Sequence, residues 1–515
     1  MSPARRDHVV VIGAGMGGLA SAIDLAVAGL RVTVVERAMR PGGKMREVEV
    51  AGARIDAGPT VFTMRWVFDR LFAAAGATLD DHIALKPLEI LARHAWSEAE
   101  RLDLFADTGR SADAIGAFAG AADAKGYLAF SAEARRVFET LRDTFLTEQQ
   151  TGPVGLSRRV GFANAQAMFA LRPFDTLWTA LGDHFRDPRL RQLFGRYATY
   201  CGSSPFAAPA TLMLIAHVEQ EGVWAVEGGM QRLAEALEGL ASSLGIEFRY
   251  GAHVERITVA GGRASGVTLA GGEHLASHAV VANADAAAIA NGAFGADAAG
   301  GLRAGPRKAR SLSAVTWTIN AETHGFPLLR HNVFFSGDYR AEFDDIFGRG
   351  RLPRAPTIYV CAEDRADDGA DIAGPERLLV LVNAPANGDQ VALDEGEFLR
   401  CETEVFAHLK ACGLTVNRAP EACTVTTPQT FNALFPGTGG ALYGRATHGW
   451  AAAFQRPGSR TKLPGLYQAG GGAHPGAGVP MAALSGRLAA ARLIRDRDSM
   501  SPFRRAAIAG GISTP

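Results

Sequence analysis

The chain has 515 residues, and its 53 Lys plus Arg are matched by 53 Asp plus Glu, so no net field draws it to nucleic acid or an acidic polymer and a neutral substrate is expected. Single cores stop growing near roughly 250–300 residues, which calls for two or more domains here. With 47% hydrophobic and 21% charged residues, wholesale disorder and a polytopic membrane protein are both excluded.

Residues 8 to 36 read as strand, helix, strand: the apolar run HVVVIG, a glycine turn, a small-residue helix from about Gly15 to Ala28, then RVTVVE. From about residue 80 to 220 helical periodicity takes over with few strand signals, as in AEARRVFETLRDTFL and FDTLWTALGDHFR. Strands return with IEFRY, HVERITV, ASGVTLA and the buried-looking HAVVANA. Residues 310 to 440 mix the strands SAVTWTI, TIYVCA and RLLVLVNA with a helix around EFLRCETEVFAHLKACG, before a last strand LYQAG and a helix after Gly478. The expectation is an α/β protein: a doubly wound, Rossmann-like nucleotide domain assembled from 1–80, 221–300 and 441–498. A substrate domain with a helical insertion and a mixed αβ portion would come from 81–220 and 301–440.

Gly13, Gly15 and Gly18 form GxGxxG between the first strand and the first helix. The first glycine makes the tight turn, the second admits backbone to a pyrophosphate, and the third permits close helix packing. The helix N-terminus adds free amides and partial positive charge. Glu36, 21 residues after Gly15 at the end of the next strand, is placed to accept hydrogen bonds from ribose hydroxyls. Gly42 and Gly43 offer a second backbone approach, and Lys44 a cation near phosphate or flavin ring. The five cysteines are scattered without a CxxC pair, so neither a disulfide framework nor a metal site is expected.

The GG doublet with its basic residue resembles that of the amine oxidase and phytoene desaturase superfamily of FAD proteins. GARIDAGPTVFT and, more than 400 residues later, GLYQAGGGAHPGAGVPMAALSG resemble the two diagnostic segments of bacterial-type carotenoid desaturases. The resemblance implies FAD as cofactor, a carotenoid as substrate, and oxidation of a CH–CH bond. It also implies main-chain contact of Val254 with adenine, and of Gly471, Gly478, Val479 and Pro480 with the ribityl chain and flavin ring. Gly471 stands where many superfamily members carry an acid. Within the family, Ala92–Asp107 is similar to the hydroxyneurosporene and methoxyneurosporene desaturases of purple bacteria, which place a 3,4 double bond in 1-hydroxycarotenoids of the photosynthetic pathway. Phytoene desaturase, a flavin amine oxidase and a non-catalytic isoprenoid carrier are the alternatives, and oxygen, a quinone or another carrier the alternatives for electron acceptor.

No catalytic residue is identified: His474 would lie near the flavin, where it either relays a proton or caps and shapes the glycine turn, and Asp143 and Glu148 are weaker candidates that otherwise read as solvated helix charges. The start MSPARRDHVVVIG leaves no room for a signal peptide, and no run of 18 apolar residues exists. The expected location is therefore cytoplasmic, not secreted, with peripheral attachment to inner-membrane lipid. Phe162, Met168, Phe169, Phe174, Leu177 and Trp178, together with Arg158, Arg159 and Arg172, are the candidate docking residues, the alternative being an ordinary core helix pair that walls the substrate tunnel.

Overall fold

The computed structural model describes residues 7–161, 171–366, 372–390 and 393–500. Val9, Val10 and Val11 are all buried, which requires cover on both faces of the strand His8–Ile12. That strand is the centre of a five-stranded parallel sheet in the order Leu466–Gln468, Ala279–Ala282, His8–Ile12, Arg31–Val35 and Glu247–Arg249. Three widely separated stretches of sequence therefore build one sheet. Val9 and Val11 pack with Leu19, Ile23 and Ala483 of the helices Met16–Val27 and Val479–Met500. These two helices approach so closely that a Cβ on Gly486 would lie 2.1 Å from the Gly17 carbonyl oxygen.

Val10 and Ile12 pack on the opposite side with Val254, Ile257 and Val267. Those residues belong to a three-stranded antiparallel sheet of Val254–Ala260, Arg263–Leu269 and His274–Ala276. The α/β sheet is thus covered by helices on one face and by a small sheet on the other, where a doubly wound fold would place helices on both.

A second sheet has eight strands. Along it run Leu414–Asn417, Ser313–Gly325, Glu376–Ala384, Ile358–Ala362, His331–Phe334, Ile90–Ala95 and Arg101–Phe105, with Cys423–Thr426 also paired to Ser313–Gly325. Trp317 and Val380 on one side of it are closed over by Val405 and Leu409 of the helix Glu395–Ala411. The hairpin of Ile90–Ala95 and Arg101–Phe105 corrects the expectation of a helical stretch beginning near residue 80. Arg93 and Asp103 face each other across it, joined at 2.8 and 2.7 Å, and such cross-strand charge pairs hide the period-2 hydrophobic signal.

The rest of the insertion is helical. Asp107, Thr176 and Asp187 cap their helices by accepting the amides of Arg110, Thr179 and Arg189. Phe130 and Phe138 of the helix Ala121–Leu141 anchor the bundle, the first against Phe185 and Phe194 at 5.5 and 4.9 Å. No helix among the described residues is long and apolar enough to cross a membrane.

Candidate active site, a glycine cradle joined to an apolar cavity

A cavity of about 870 Å³ runs from the ends of the parallel strands into the helical insertion, near the top of the usual range for small-molecule sites. Its first wall is main chain. Gly13 adopts φ +91°, and a Cβ there would meet the Asn283 carbonyl oxygen at 3.0 Å; one on Gly15 would lie 2.7 Å from Asn283 Nδ2. Gly15 is also the N-cap of Met16–Val27 and carries no capping side chain, so the free amides of that first turn lie at the cavity wall formed by Gly15, Met16 and Gly17. Gly18 does not line the cavity. It lies beneath the turn, where a Cβ would fall 1.9 Å from the Gly13 carbonyl oxygen.

Glu36 ends the second strand at the cavity wall. Its Oε2 accepts from Ala14 N at 2.7 Å and its Oε1 from Ala38 N at 2.8 Å. Both oxygens are fixed, and each retains a lone pair for a hydroxyl arriving from the lumen. The second glycine turn is stitched to the first: Gly42 N donates to Ala14 O at 2.9 Å, and a Cβ on Gly43 would be 3.3 Å from Gly15 Cα. Val254, buried at the start of its strand, lines the same wall.

Lys44 also lines the cavity, but its ammonium donates to the Leu442 carbonyl at 2.6 Å and stands 5.5 Å from the Phe435 ring centroid. Burial pushes its pKa below the ordinary lysine value, with Asp285 opposing.

The C-terminal glycine turn closes the other side. Gly471, Gly478, Val479 and Pro480 line the cavity, and the last three open the helix Val479–Met500 toward it. Arg456, buried and invisible as a site residue in sequence, clamps this turn: Nη1 donates to Gly471 O and Tyr443 O, both at 3.1 Å, and Nη2 to Arg445 O at 2.7 Å. Asn283 is a second residue the sequence reading missed, wedged between Gly13, Gly15 and Gly470.

His474 is not among the lining residues. Its Nε2 lies 2.9 Å from the carbonyl oxygens of both Phe145 and Glu148, and its ring meets Phe145 edge-on at 4.7 Å. Burial holds its pKa down at about 4. A neutral ring carrying its proton on Nε2 satisfies those carbonyls, so the residue ties the glycine turn to the helical insertion. Asp143, exposed and paired with Arg142, and Glu148, also exposed, lie off the cavity.

Most of the remaining wall is apolar, with Leu141, Phe145, Leu156, Leu212, Ile215 and Val218 from the insertion and Leu379 and Leu381 from the large sheet. Phe174 and Trp450 also line it yet are 82% and 52% exposed, with ring centroids 6.2 Å apart. They mark its mouth. Of the other candidate docking residues, Leu177 is buried, Trp178 packs on Phe206 at 4.6 Å, and Arg172 is paired with Glu133, Asp175 and Asp183. Phe162, Met168 and Phe169 lie outside the described residues.

The cradle fits a dinucleotide with a flavin. Two glycine turns and two helix N-termini surround a fixed carboxylate, and a Cβ at Gly13 or Gly15 would crowd Asn283. Fold and site together define an FAD-dependent oxidoreductase with an apolar substrate chamber.

The comparisons agree. Residues 16–494 match the model of the flavin containing amine oxidoreductases, and the chain belongs to that family, among its carotenoid desaturases. It is 54% identical over 513 residues to hydroxyneurosporene desaturase of Rubrivivax gelatinosus, covering 99% of this chain and 98% of the relative. It is 45% identical to the hydroxyneurosporene desaturase of Cereibacter sphaeroides, covering 96% and 98%. The 1-hydroxycarotenoid 3,4-desaturase of a Flavobacterium species is 29% identical, over 93% and 98%. Among solved structures, an oxidoreductase from Methanosarcina mazei superposes with a TM-score of 0.56 at 17% identity, covering 95% of this chain and all of that one. A putrescine oxidase variant does so at 0.57 and 14%, covering 95% and 99%. At those identities the two structures speak for the fold alone.

Proposed function

We propose that the protein desaturates a long apolar carotenoid, introducing the 3,4 double bond of a 1-hydroxycarotenoid such as 1-hydroxyneurosporene. The observation that carries this reading is the continuity of one cavity, from the glycine cradle to an apolar wall that opens beside Phe174 and Trp450. The names of the relatives at 54% and 45% identity support the same substrate class.

FAD, when bound, supplies a two-electron acceptor, so that one carbon can lose hydrogen with its electron pair and its neighbour a proton, leaving the double bond. The protein's share is placement. The amides after Gly15 and at Val479 would receive pyrophosphate and flavin, Glu36 would accept from ribose hydroxyls, and Gly43 and Gly471 would let main chain approach the ring system. Leu141, Phe145, Leu156 and Leu212 hold the polyene and exclude water. Lys44 and His474 act at one remove in this reading, Lys44 by holding the 441–442 segment and His474 by fixing the C-terminal turn against the insertion.

The substrate is insoluble in water, and the mouth offers a route for it. Phe174 and Trp450, exposed side by side at the mouth, form an apolar rim suited to the surface of a bilayer.

The test is anaerobic incubation of the FAD-loaded protein with liposomes carrying either 1-hydroxyneurosporene or phytoene, following flavin bleaching and the polyene spectrum. Bleaching with the hydroxylated substrate and a product one double bond longer is the expected result. Bleaching with phytoene alone would make the protein a phytoene desaturase. No bleaching with either would return it to the amine oxidase or carrier readings.

A further inference from the structure

A polar group interrupts the apolar wall: Thr60, Arg196, Tyr200, Glu219 and Tyr359 all line the same cavity. Arg196 Nη1 donates to the Tyr200 hydroxyl at 2.9 Å, and its guanidinium lies 5.1 and 5.3 Å from the ring centroids of Tyr200 and Tyr359. Tyr197 donates to Glu219 at 2.7 Å. The Tyr359 hydroxyl stands between Thr60 Oγ1 at 2.6 Å and His331 Nδ1 at 2.7 Å. Burial works against the charge of Arg196, but the surrounding Tyr200, Tyr359 and Glu219 outweigh it and the guanidinium stays protonated. Burial likewise holds the Tyr359 phenol far above its ordinary range and His331 down at about 3, so both remain neutral.

A charged group in an apolar chamber is costly unless it is paired, and a guanidinium offers five donors. Arg196 uses one of them toward the described residues. A wall made only to hold hydrocarbon has no need of the others.

We infer that Arg196, supported by Tyr200 and Tyr359, receives the hydroxyl at the chain end of the substrate and so selects a 1-hydroxycarotenoid over its unhydroxylated parent. This inference rests on the desaturase reading above and deepens it. Position supports it. In a 1-hydroxy substrate only C2 separates the carbinol carbon from the C3–C4 bond that is oxidised, so the hydroxyl's receptor has to stand beside the flavin and not at the far end of the chamber. Thr60 ties the polar group to that place. It lies two residues beyond Gly58, where a Cβ would come within 2.0 Å of the Lys44 carbonyl oxygen at the second glycine turn. The substrate hydroxyl accepts from Arg196 and can donate to Glu219 or a tyrosine oxygen, replacing the water it leaves behind.

Sites built to bind a hydroxyl reject the analogue lacking it by up to roughly 10⁴-fold, because their polar groups are then left unpaired. The experiment compares 1-hydroxyneurosporene with neurosporene, in liposomes, for the wild-type holoenzyme, Arg196→Met and Tyr200→Phe, measuring kcat and KM separately along with flavin content. The expected result is a wild-type preference for the hydroxylated substrate of about 100-fold or more in kcat/KM. Arg196→Met should bring it below about tenfold, with the loss concentrated on the hydroxylated substrate and activity on neurosporene kept or raised. Tyr200→Phe should lower the preference by a smaller factor, and it decides the matter if Arg196→Met fails to hold flavin. An unchanged preference in a flavin-loaded variant overturns the inference while leaving the desaturase reading intact. Absence of turnover by the wild type with either carotenoid overturns the desaturase reading itself.

Discussion

At the cradle end of the cavity the contact distances are set by main chain, whereas at the substrate end they are set by side chains. Gly13, Gly15 and Gly43 place backbone against backbone, and Glu36 is fixed by two amides. Across the chamber, Thr60, Arg196, Glu219, Tyr359 and Leu379 converge from separate stretches of sequence, and of these Thr60 alone falls in a motif. A wall of main chain has one shape and admits one kind of cofactor. A wall of side chains on a stable sheet and bundle can be changed one residue at a time, so specificity can vary there while the cofactor is kept.

That contrast breaks most sharply at Gly18. Valine there would drive its Cβ to within 1.9 Å of the Gly13 carbonyl oxygen, which must shift the turn. Purified Gly18→Val should carry no visible flavin absorbance, a loss of about 100-fold or more in FAD affinity. Full flavin content in a folded Gly18→Val protein would refute the account of the cradle. Glu36→Ala comes next. It removes the proposed acceptor for ribose, a charge-assisted bond of about 1.5–3 kcal/mol, along with the bonds from Ala14 and Ala38 that hold the carboxylate in place. FAD titration of the apoprotein should show affinity weakened by roughly 30–100-fold, whereas Tyr200→Phe on the opposite wall should leave it unchanged.

The same contrast governs what could be read from sequence. Glycine motifs are local: GxGxxG, Glu36 and the GG doublet are legible because neighbouring residues must meet one geometric need. The cavity receives Gly13, Gly15, Glu36, Gly43, Lys44, Val254, Gly471 and Gly478 to Pro480. Arg196 and Tyr359 gave no such sign, since an arginine in a helical stretch reads as solvated surface and a tyrosine in TIYVCA as part of a strand. Their meaning comes from tertiary contact alone. The hairpin at Ile90–Phe105 was hidden for a related reason, the Arg93–Asp103 pair making a half-buried strand look polar. The three-stranded sheet over the nucleotide fold was visible as strands, but which face it covers shows only in the packing of Val10 and Ile12 against it, in a strand buried on both sides.

His474 joins the two regions and sharpens the comparison by pH. Its ordinary value is 6.5, and in the folded protein burial lowers it to about 4. Above pH 6.5 neither state takes the proton. As pH falls below that, the unfolded chain is protonated while the folded one is not, so stability is lost progressively until about pH 4. At pH 5 the loss from this residue comes to about 2 kcal/mol. In His474→Gln the amide can still donate toward Phe145 and Glu148, and denaturant unfolding should show about that much less destabilisation between pH 7 and pH 5 than in the wild type. Equal losses in both proteins would remove His474 from the account.

The smallest effect belongs to the mouth, where the substrate wall meets solvent. Phe174 and Trp450 are exposed and make an edge-on ring contact with each other, so replacing both with serine removes apolar surface without opening a core. Partial burial of two aromatic rings in a headgroup layer contributes about 1–2 kcal/mol. Phe174→Ser/Trp450→Ser should therefore co-sediment with anionic liposomes about tenfold less well at equal lipid, with flavin content and thermal stability unchanged. Turnover of a carotenoid delivered in detergent should be retained while turnover from liposomes falls. Equal losses from both carriers would assign the two rings to the chamber itself and not to the proposed lipid contact. That result would extend the side-chain-built wall all the way to the surface of the protein.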